Sequence, residues 1–370
     1  MRNVLCFLLV LCGLTPAVFG QDKKPPKSDE DQVIRVDTEL VEVPIVVTDK
    51  AGKPVLSLKQ SNFTVTEDGK PQEITDFSAT SAPFEVALLL DTSGSARADL
   101  QLIQRSAQNF INALRPGDRV SIVAFKTEVK DKRAGPVTEV VSSLTDDRNA
   151  LKAALDRVNT SNGTPYYDGI LKIVENVFNE PPRPEFRGRR ALVALTDGVD
   201  STSISDFDEV REALEKAGIV CYFIKVNTRE YFEQNLLGDC DIAIRFSAAQ
   251  IRRYYRKFSP NSKVEKADDF CQLGDFERLA ISKKLYEIAD AEMDALARSS
   301  GGKVFPVGDL SEARVAFRSV ADEIGTKYSL GYYSSNEKRD GTYRKITVGV
   351  KGLPPGTTIR AREGYTSPVR

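Results

Sequence analysis

The sequence predicts an α/β fold: a Rossmann-like, doubly wound, mostly parallel sheet inserted in a small β-sandwich built from the N- and C-terminal flanks. Two observations carry this. Between residues 84 and 324, short continuously apolar runs alternate with segments whose apolar residues recur at helical spacing. That is the rhythm of strands covered on both faces by crossover helices. On either side the period returns to β, and neither flank holds enough apolar residue to bury a core alone.

In chain order, residues 1–20 read as an export signal, with Arg2 for charge, an apolar run at 4–14 and Val18-Phe19-Gly20 before a cut. That run is too short for a permanent anchor, and no other run reaches membrane-spanning length. An exported chain, periplasmic or secreted to the extracellular space, is expected. Residues 21–32 are polar, with Pro25-Pro26, and read as a flexible tether. Residues 33–82 are the N-terminal β part: a β-branched run to Val47, a turn at Asp49 to Lys53, then strands at 63–66 and 73–74 around Glu67-Asp68-Gly69-Lys70.

Residues 83–326 hold the alternating stretch. Strands are expected at 86–90, 120–125, 191–195 and 219–226, with a short one at Val304-Phe305. Helices are expected at 100–114, 149–158, 166–178, 205–216, 285–297 and 311–324, several of them stopped by Pro or Gly. Gly301 reads as a helix C-cap. Residues 228–284 interrupt the rhythm. A loop of that length leaving the carboxyl end of a strand is expected to stand beside the ligand-binding edge of the sheet. Residues 327–370 are the C-terminal β part, with strands at 328–333, 343–350 and 358–362.

Composition narrows the chemistry. Of 370 residues, 41% are hydrophobic and 28% charged, ordinary for a soluble protein, and the net charge of −1 gives no global attraction for nucleic acid or anionic membrane. There is no histidine. Ser-His-Asp and Cys-His catalysis, imidazole zinc sites and histidine shuttles are therefore excluded within this chain. Cys6 and Cys12 leave with the signal. Cys240 and Cys271 share the irregular insertion and Cys221 sits in a buried strand, so a Cys240–Cys271 disulfide is expected, with three free thiols as the alternative. The basic run Arg252 to Lys257 reads as a solvated helix face, or as a surface for an acidic protein partner, rather than a nucleic-acid patch.

One constellation bears chemistry. Asp91 follows the first buried strand, with Ser93 and Ser95 at alternate positions and Gly94 allowing a sharp turn. Asp197 follows another strand and so reaches the same sheet edge, and Thr164 lies in a loop that opens a helix. Two carboxylates and three hydroxyls are hard oxygen donors, suited to Mg²⁺ or Mn²⁺ and poorly suited to zinc. An octahedral ion takes six ligands, so five protein groups leave a place for water or a partner's carboxylate. Asp168 and Asp200 read as helix or turn caps rather than ligands.

Asp-x-Ser-x-Ser at Asp91, Ser93 and Ser95, Thr164 before Tyr167-Asp168, and Thr196-Asp197-Gly198 resemble the von Willebrand factor type A domain and its metal-ion-dependent adhesion site. The resemblance runs over 84–324, with 228–284 as a departure. The flanking Val46-Val47-Thr48-Asp49, Glu67-Asp68-Gly69-Lys70, Tyr328-x-Leu330-Gly331-Tyr332 and Arg362-x-Gly364-Tyr365 look like bacterial exported proteins related to that family. The resemblance implies a non-enzymatic, metal-dependent binding role in which an Asp or Glu of a partner protein completes the metal's shell. Two alternatives stand beside it. One is a Mg²⁺-dependent hydrolase of phosphatase type with Asp91 as nucleophile, disfavoured by Ser93 where a second Asp is usual. The other is a structural component of an envelope assembly.

Overall fold

Asp49, Gly52 and Lys53 close a turn as their sequence demands: the Asp49 side chain accepts the Ala51 and Lys53 N–H groups at 2.8 and 2.9 Å, and Gly52 takes φ +77°. The structure, a computed structural model, describes residues 40–78, 82–93, 99–130, 132–240, 242–260 and 269–369. The expected export signal and tether lie outside them. From the N-terminal flank come β1 (Leu40–Thr48), β2 (Phe63–Glu67), β3 (Lys70–Gln72) and β4 (Ile74–Ser78).

The alternating stretch begins with β5 (Glu85–Leu90), α1 (Leu100–Ala113), β6 (Arg119–Lys130) and β7 (Arg133–Thr145). It continues with α2 (Arg148–Leu155), α3 (Tyr166–Lys172), β8 (Arg190–Thr196), α4 (Phe207–Ala217) and β9 (Val220–Val226). It ends with α5 (Arg229–Gln234), α6 (Ala248–Phe258), α7 (Asp275–Ser300), β10 (Lys303–Val307) and α8 (Ala313–Gly325). The C-terminal flank supplies β11 (Tyr328–Tyr333), β12 (Tyr343–Val350), β13 (Thr358–Ala361) and β14 (Gly364–Thr366).

The predicted fold class holds. The six-stranded sheet runs β10-β9-β8-β5-β6-β7, parallel except for the β6–β7 pair. The alternation within β5 shows why such a strand is continuously apolar from Val86 to Leu90. Val86, Leu88 and Leu90 join the core under α1, α2 and α8, while Ala87 and Leu89 join the core under α3, α4 and α7. The flanks interleave into two antiparallel four-stranded sheets, β13-β1-β11-β4 and β14-β12-β2-β3, each containing strands from both ends of the chain. Val43, Ile45, Val65, Tyr328, Leu330, Tyr332 and Ile346 fill the space between them.

Four expectations are corrected in detail. The strand expected at 120–125 is one arm of a long hairpin, β6–β7; its outer half is polar because it forms an exposed sheet edge. The helix expected over 166–178 is α-helical only to Lys172 and continues as a π turn over Ile173–Val177. The insertion is no irregular loop: besides α6, which bears the helix face expected at Arg252 to Lys257, it contains α5, and α7 starts ten residues before the expected 285. It also has its own apolar cluster, including Leu236, Phe246, Ile251, Phe270 and Ile281. Finally, β14 follows directly on β13 and had not been anticipated. The C-cap at Gly301, with φ +74°, is as expected.

The sandwich docks on the amino edge of the parallel sheet. The Gly188 N–H, just before β8, donates to Glu42 Oε2 at 2.6 Å, Arg362 Nη2 donates to the Glu215 carbonyl at 2.6 Å, and Lys327 Nζ donates to the Gly301 carbonyl at 2.8 Å. The carboxyl edge is left to the loops after β5, β8 and β9.

Candidate metal centre

β5 and β8 are neighbours on either side of the point where strand order reverses, so the loops leaving their carboxyl ends diverge and open a crevice. The ladder runs on past β5, with the Asp91 N–H donating to the Leu195 carbonyl at 3.0 Å. This places the Asp91 carboxylate beside the start of the next loop. Its Oδ1 accepts the Ser93 N–H at 3.0 Å and its Oδ2 accepts the Thr196 hydroxyl at 2.7 Å. Thr196 Oγ1 in turn accepts the Gly198 N–H at 2.9 Å. One threonine thus stitches both aspartate loops together.

Asp197 is half-buried. Its Oδ1 accepts the Val199 N–H at 3.0 Å and its Oδ2 the Thr228 hydroxyl at 2.5 Å. Gly198 makes this turn possible: it adopts φ +74°, and a Cβ there would meet the Met293 sulfur at 2.8 Å.

The Thr164 limb is held from two sides. The Ser161 N–H donates to the Thr92 carbonyl at 2.8 Å, fastening this loop to the Asp91 loop. The Thr164 N–H donates to Ser201 Oγ at 2.8 Å and its carbonyl accepts the Ser201 N–H at 3.0 Å. Pro165 cannot cap α3 with its own side chain, so Asp200 does so from the facing loop, accepting the Tyr166 N–H at 2.9 Å. Asp168 accepts the Ile204 and Ser205 N–H groups at 3.1 and 3.0 Å. Asp200 is therefore spent on capping α3, and Asp168 on holding the 204–205 loop.

The structure brings Asp91, Ser93, Thr164 and Asp197 to one edge through these linked loops; Ser95 lies outside the described residues. Burial pushes the Asp91 carboxyl above its usual range. Burial, and then the Asp91 charge, push Asp197 up to about 7. Among the described residues no Lys or Arg makes an ion pair with either. Two acids held close, short of positive charge and ringed by hydroxyls, fit a hard divalent cation.

Sequence reasoning named Thr196 only as part of a motif, with no role of its own, and missed two residues of this edge, Thr228 and Tyr286. Thr228 carried a usable signal, since it stands two residues beyond β9 and must arrive at the same edge. Tyr286, in mid-helix, carried none. The insertion does stand beside the site. The Ser247 hydroxyl donates to the Ser201 carbonyl at 2.5 Å, and Arg253 pairs with Glu292 at 2.9 Å while lying 4.9 Å over the Tyr167 ring. Arg253 is thus a clamp, not part of a solvated basic face. The expected disulfide is present, Cys240 to Cys271 with Cα atoms 5.3 Å apart, and Cys221 is a buried thiol.

Residues 86–199 match the family model described as von Willebrand factor type A domain. A search of curated proteins finds no match. Among solved structures the chain is similar to a conserved hypothetical protein, BatB, from Bacteroides thetaiotaomicron, at 17% identity and TM-score 0.38, covering 65% of this chain and 98% of that one. It is similar also to a von Willebrand factor type A protein from Catenulispora acidiphila, at 10% identity and TM-score 0.41, covering 90% and 74%. A third is proximal thread matrix protein 1 of the mussel byssus, solved with a zinc-occupied MIDAS motif, at 17% identity and TM-score 0.42, covering 70% of this chain. The chain spans about half the length of that mussel protein, 49%. The matched segment holds the strands and loops that bring Asp91, Thr164 and Asp197 together, and with it this chain carries a von Willebrand factor type A domain.

Proposed function

We propose that this is an exported, non-enzymatic binding protein in which Asp91, Ser93, Ser95, Thr164 and Asp197 hold Mg²⁺ (or Mn²⁺) and an Asp or Glu of a partner protein completes the shell. The observation that carries the reading is the pair of carboxylates at the switch point, short of positive charge among the described residues and surrounded by hydroxyl donors. A bound divalent ion supplies that charge and offers an open position to an anionic oxygen. The protein's own work is positional: Thr196 ties the two aspartates, Ser201 fixes Thr164, and Asp200 fixes the helix behind it. Nucleic acid has no place in this reading, and no helix among the described residues is long and apolar enough to cross a membrane.

Calorimetric titration of Mg²⁺ into metal-free full-length protein tests the first step. Binding is expected, and Asp91→Ala should abolish it; unchanged binding in that variant removes the assignment. A pull-down from envelope extract with and without chelator then tests the partner. Retention of the same protein in both conditions would mean that the interaction does not run through the metal.

A further inference from the structure

The two ends of the insertion meet at Asp197. Thr228 is its first residue and Tyr286 lies just past its last, on α7. The Thr228 hydroxyl is 2.5 Å from Asp197 Oδ2 and 2.8 Å from the Tyr286 hydroxyl. A threonine hydroxyl has one proton to give and two lone pairs. With Asp197 ionised that proton goes to the carboxylate, so Tyr286 must donate to Thr228, and the relay runs one way, from Tyr286 through Thr228 to Asp197. The far end of the relay is anchored in the insertion's own core. The Tyr286 ring lies edge-on to Phe232 at 6.4 Å, and Phe232 packs on Phe246 at 5.5 Å. An insertion with its own apolar core has no need to present two hydroxyls in series to a carboxylate of another loop in order to fold.

We propose that Thr228 and Tyr286 are positioning residues of the metal centre, fixing the orientation of the Asp197 carboxylate and making the folded insertion a condition of full metal affinity. This rests on the metal-binding reading above. Hydrogen-bond partners behind a metal ligand typically alter affinity by about 10–100-fold when removed. Thr228→Val keeps the shape of the side chain and removes the donor; Thr228→Ser keeps the donor; Tyr286→Phe keeps the ring and removes only the relay's first proton.

The test is Mg²⁺ calorimetry on the full chain for wild type, these three variants and the double variant Thr228→Val/Tyr286→Phe, with circular dichroism and Tm as controls for folding. Thr228→Val is expected to weaken binding by about 10-fold or more, Thr228→Ser to bind as wild type, and Tyr286→Phe to lose less. The double variant should be no worse than Thr228→Val, because Tyr286 acts only through Thr228. Wild-type affinity in both Thr228→Val and Tyr286→Phe would overturn the positioning role while leaving the metal site standing, and so would a Thr228→Ser variant as weak as the valine. Absence of Mg²⁺ binding in wild type would overturn both. Should Thr228→Val fail to fold, Tyr286→Phe against wild type decides.

Discussion

Lys327 is fully enclosed where the sandwich meets the parallel sheet, with its Nζ donating to the Gly301 carbonyl at 2.8 Å and lying 5.4 Å from the Tyr222 ring centre. Burial lowers its ammonium from 10.5 to about 7, against the smaller opposing pull of Glu323. The sign of the consequence follows from proton counts. Between pH 7 and 10.5 the unfolded chain holds this proton and the folded chain does not, so this group adds stability as pH rises through that window. Lys327→Met should therefore flatten the pH dependence of stability between pH 7 and 9 by about 1.4 kcal/mol per pH unit, read by denaturant unfolding at each pH. A wild-type slope in the variant would place the proton elsewhere. The same residue shows how a buried amine serves as a joint: its carbonyl accepts Arg189 Nη1 at 3.0 Å, so its backbone and its side chain bind different parts of the α/β layer.

At the scale of elements the insertion behaves as a separately cored unit tied by one covalent link. The Cys240–Cys271 disulfide closes a separation of 31 residues across which α6 is strung, and constraint of a loop of that size is worth about 3–4 kcal/mol. Cys240→Ser/Cys271→Ser should raise amide exchange over α5 and α6 while β5 and β8 stay protected. Uniform loss of protection would mean that the insertion is an integral part of the main core. How much of this was legible in the sequence depended on how each element is covered. β5, β8 and β9 lie between helix layers, so each carries a continuous apolar run, and their ends could be placed well enough to bring Asp91 and Asp197 to one edge. The β6–β7 hairpin was legible only for its covered half, because its outer strand carries no apolar alternation. The first turns of α7 were hidden for a related reason. Phe276 there is exposed while Arg278 is buried, inverting the expected pattern; Arg278 lies 4.2 Å over the Phe270 ring and donates to the Gly238 carbonyl at 2.9 Å. Tyr286 already lies in the helix expected at 285–297, but nothing in the pattern says that it turns toward Thr228, so their relay had no linear signature.

For the whole molecule, the arrangement separates holding from binding. The sandwich grips the amino edge of the sheet and the loops proposed to hold the metal occupy the carboxyl edge, with the full height of five parallel strands between them. Arg362 is the centre of the grip: it is 9% exposed, its Nη2 donates to the Glu215 carbonyl at 2.6 Å and its Nε to the Gly364 carbonyl at 2.8 Å. Beside it the Glu363 N–H donates to the Ser299 carbonyl at 3.2 Å. Truncating the guanidinium removes both of these charge-assisted hydrogen bonds and leaves the buried Gly364 carbonyl short of a donor, a loss of about 2–3 kcal/mol. A chain in which mounting and binding are separate then makes a paired prediction. Arg362→Ala should lower Tm by roughly 5 °C and leave Mg²⁺ affinity at the wild-type value, whereas Thr228→Val should weaken Mg²⁺ binding with little change in Tm. Calorimetric scanning and Mg²⁺ titration on the same two variants supply all four numbers. If Arg362→Ala also weakens the metal, the sheet transmits between its edges, and the sandwich is then part of the binding device rather than its mount.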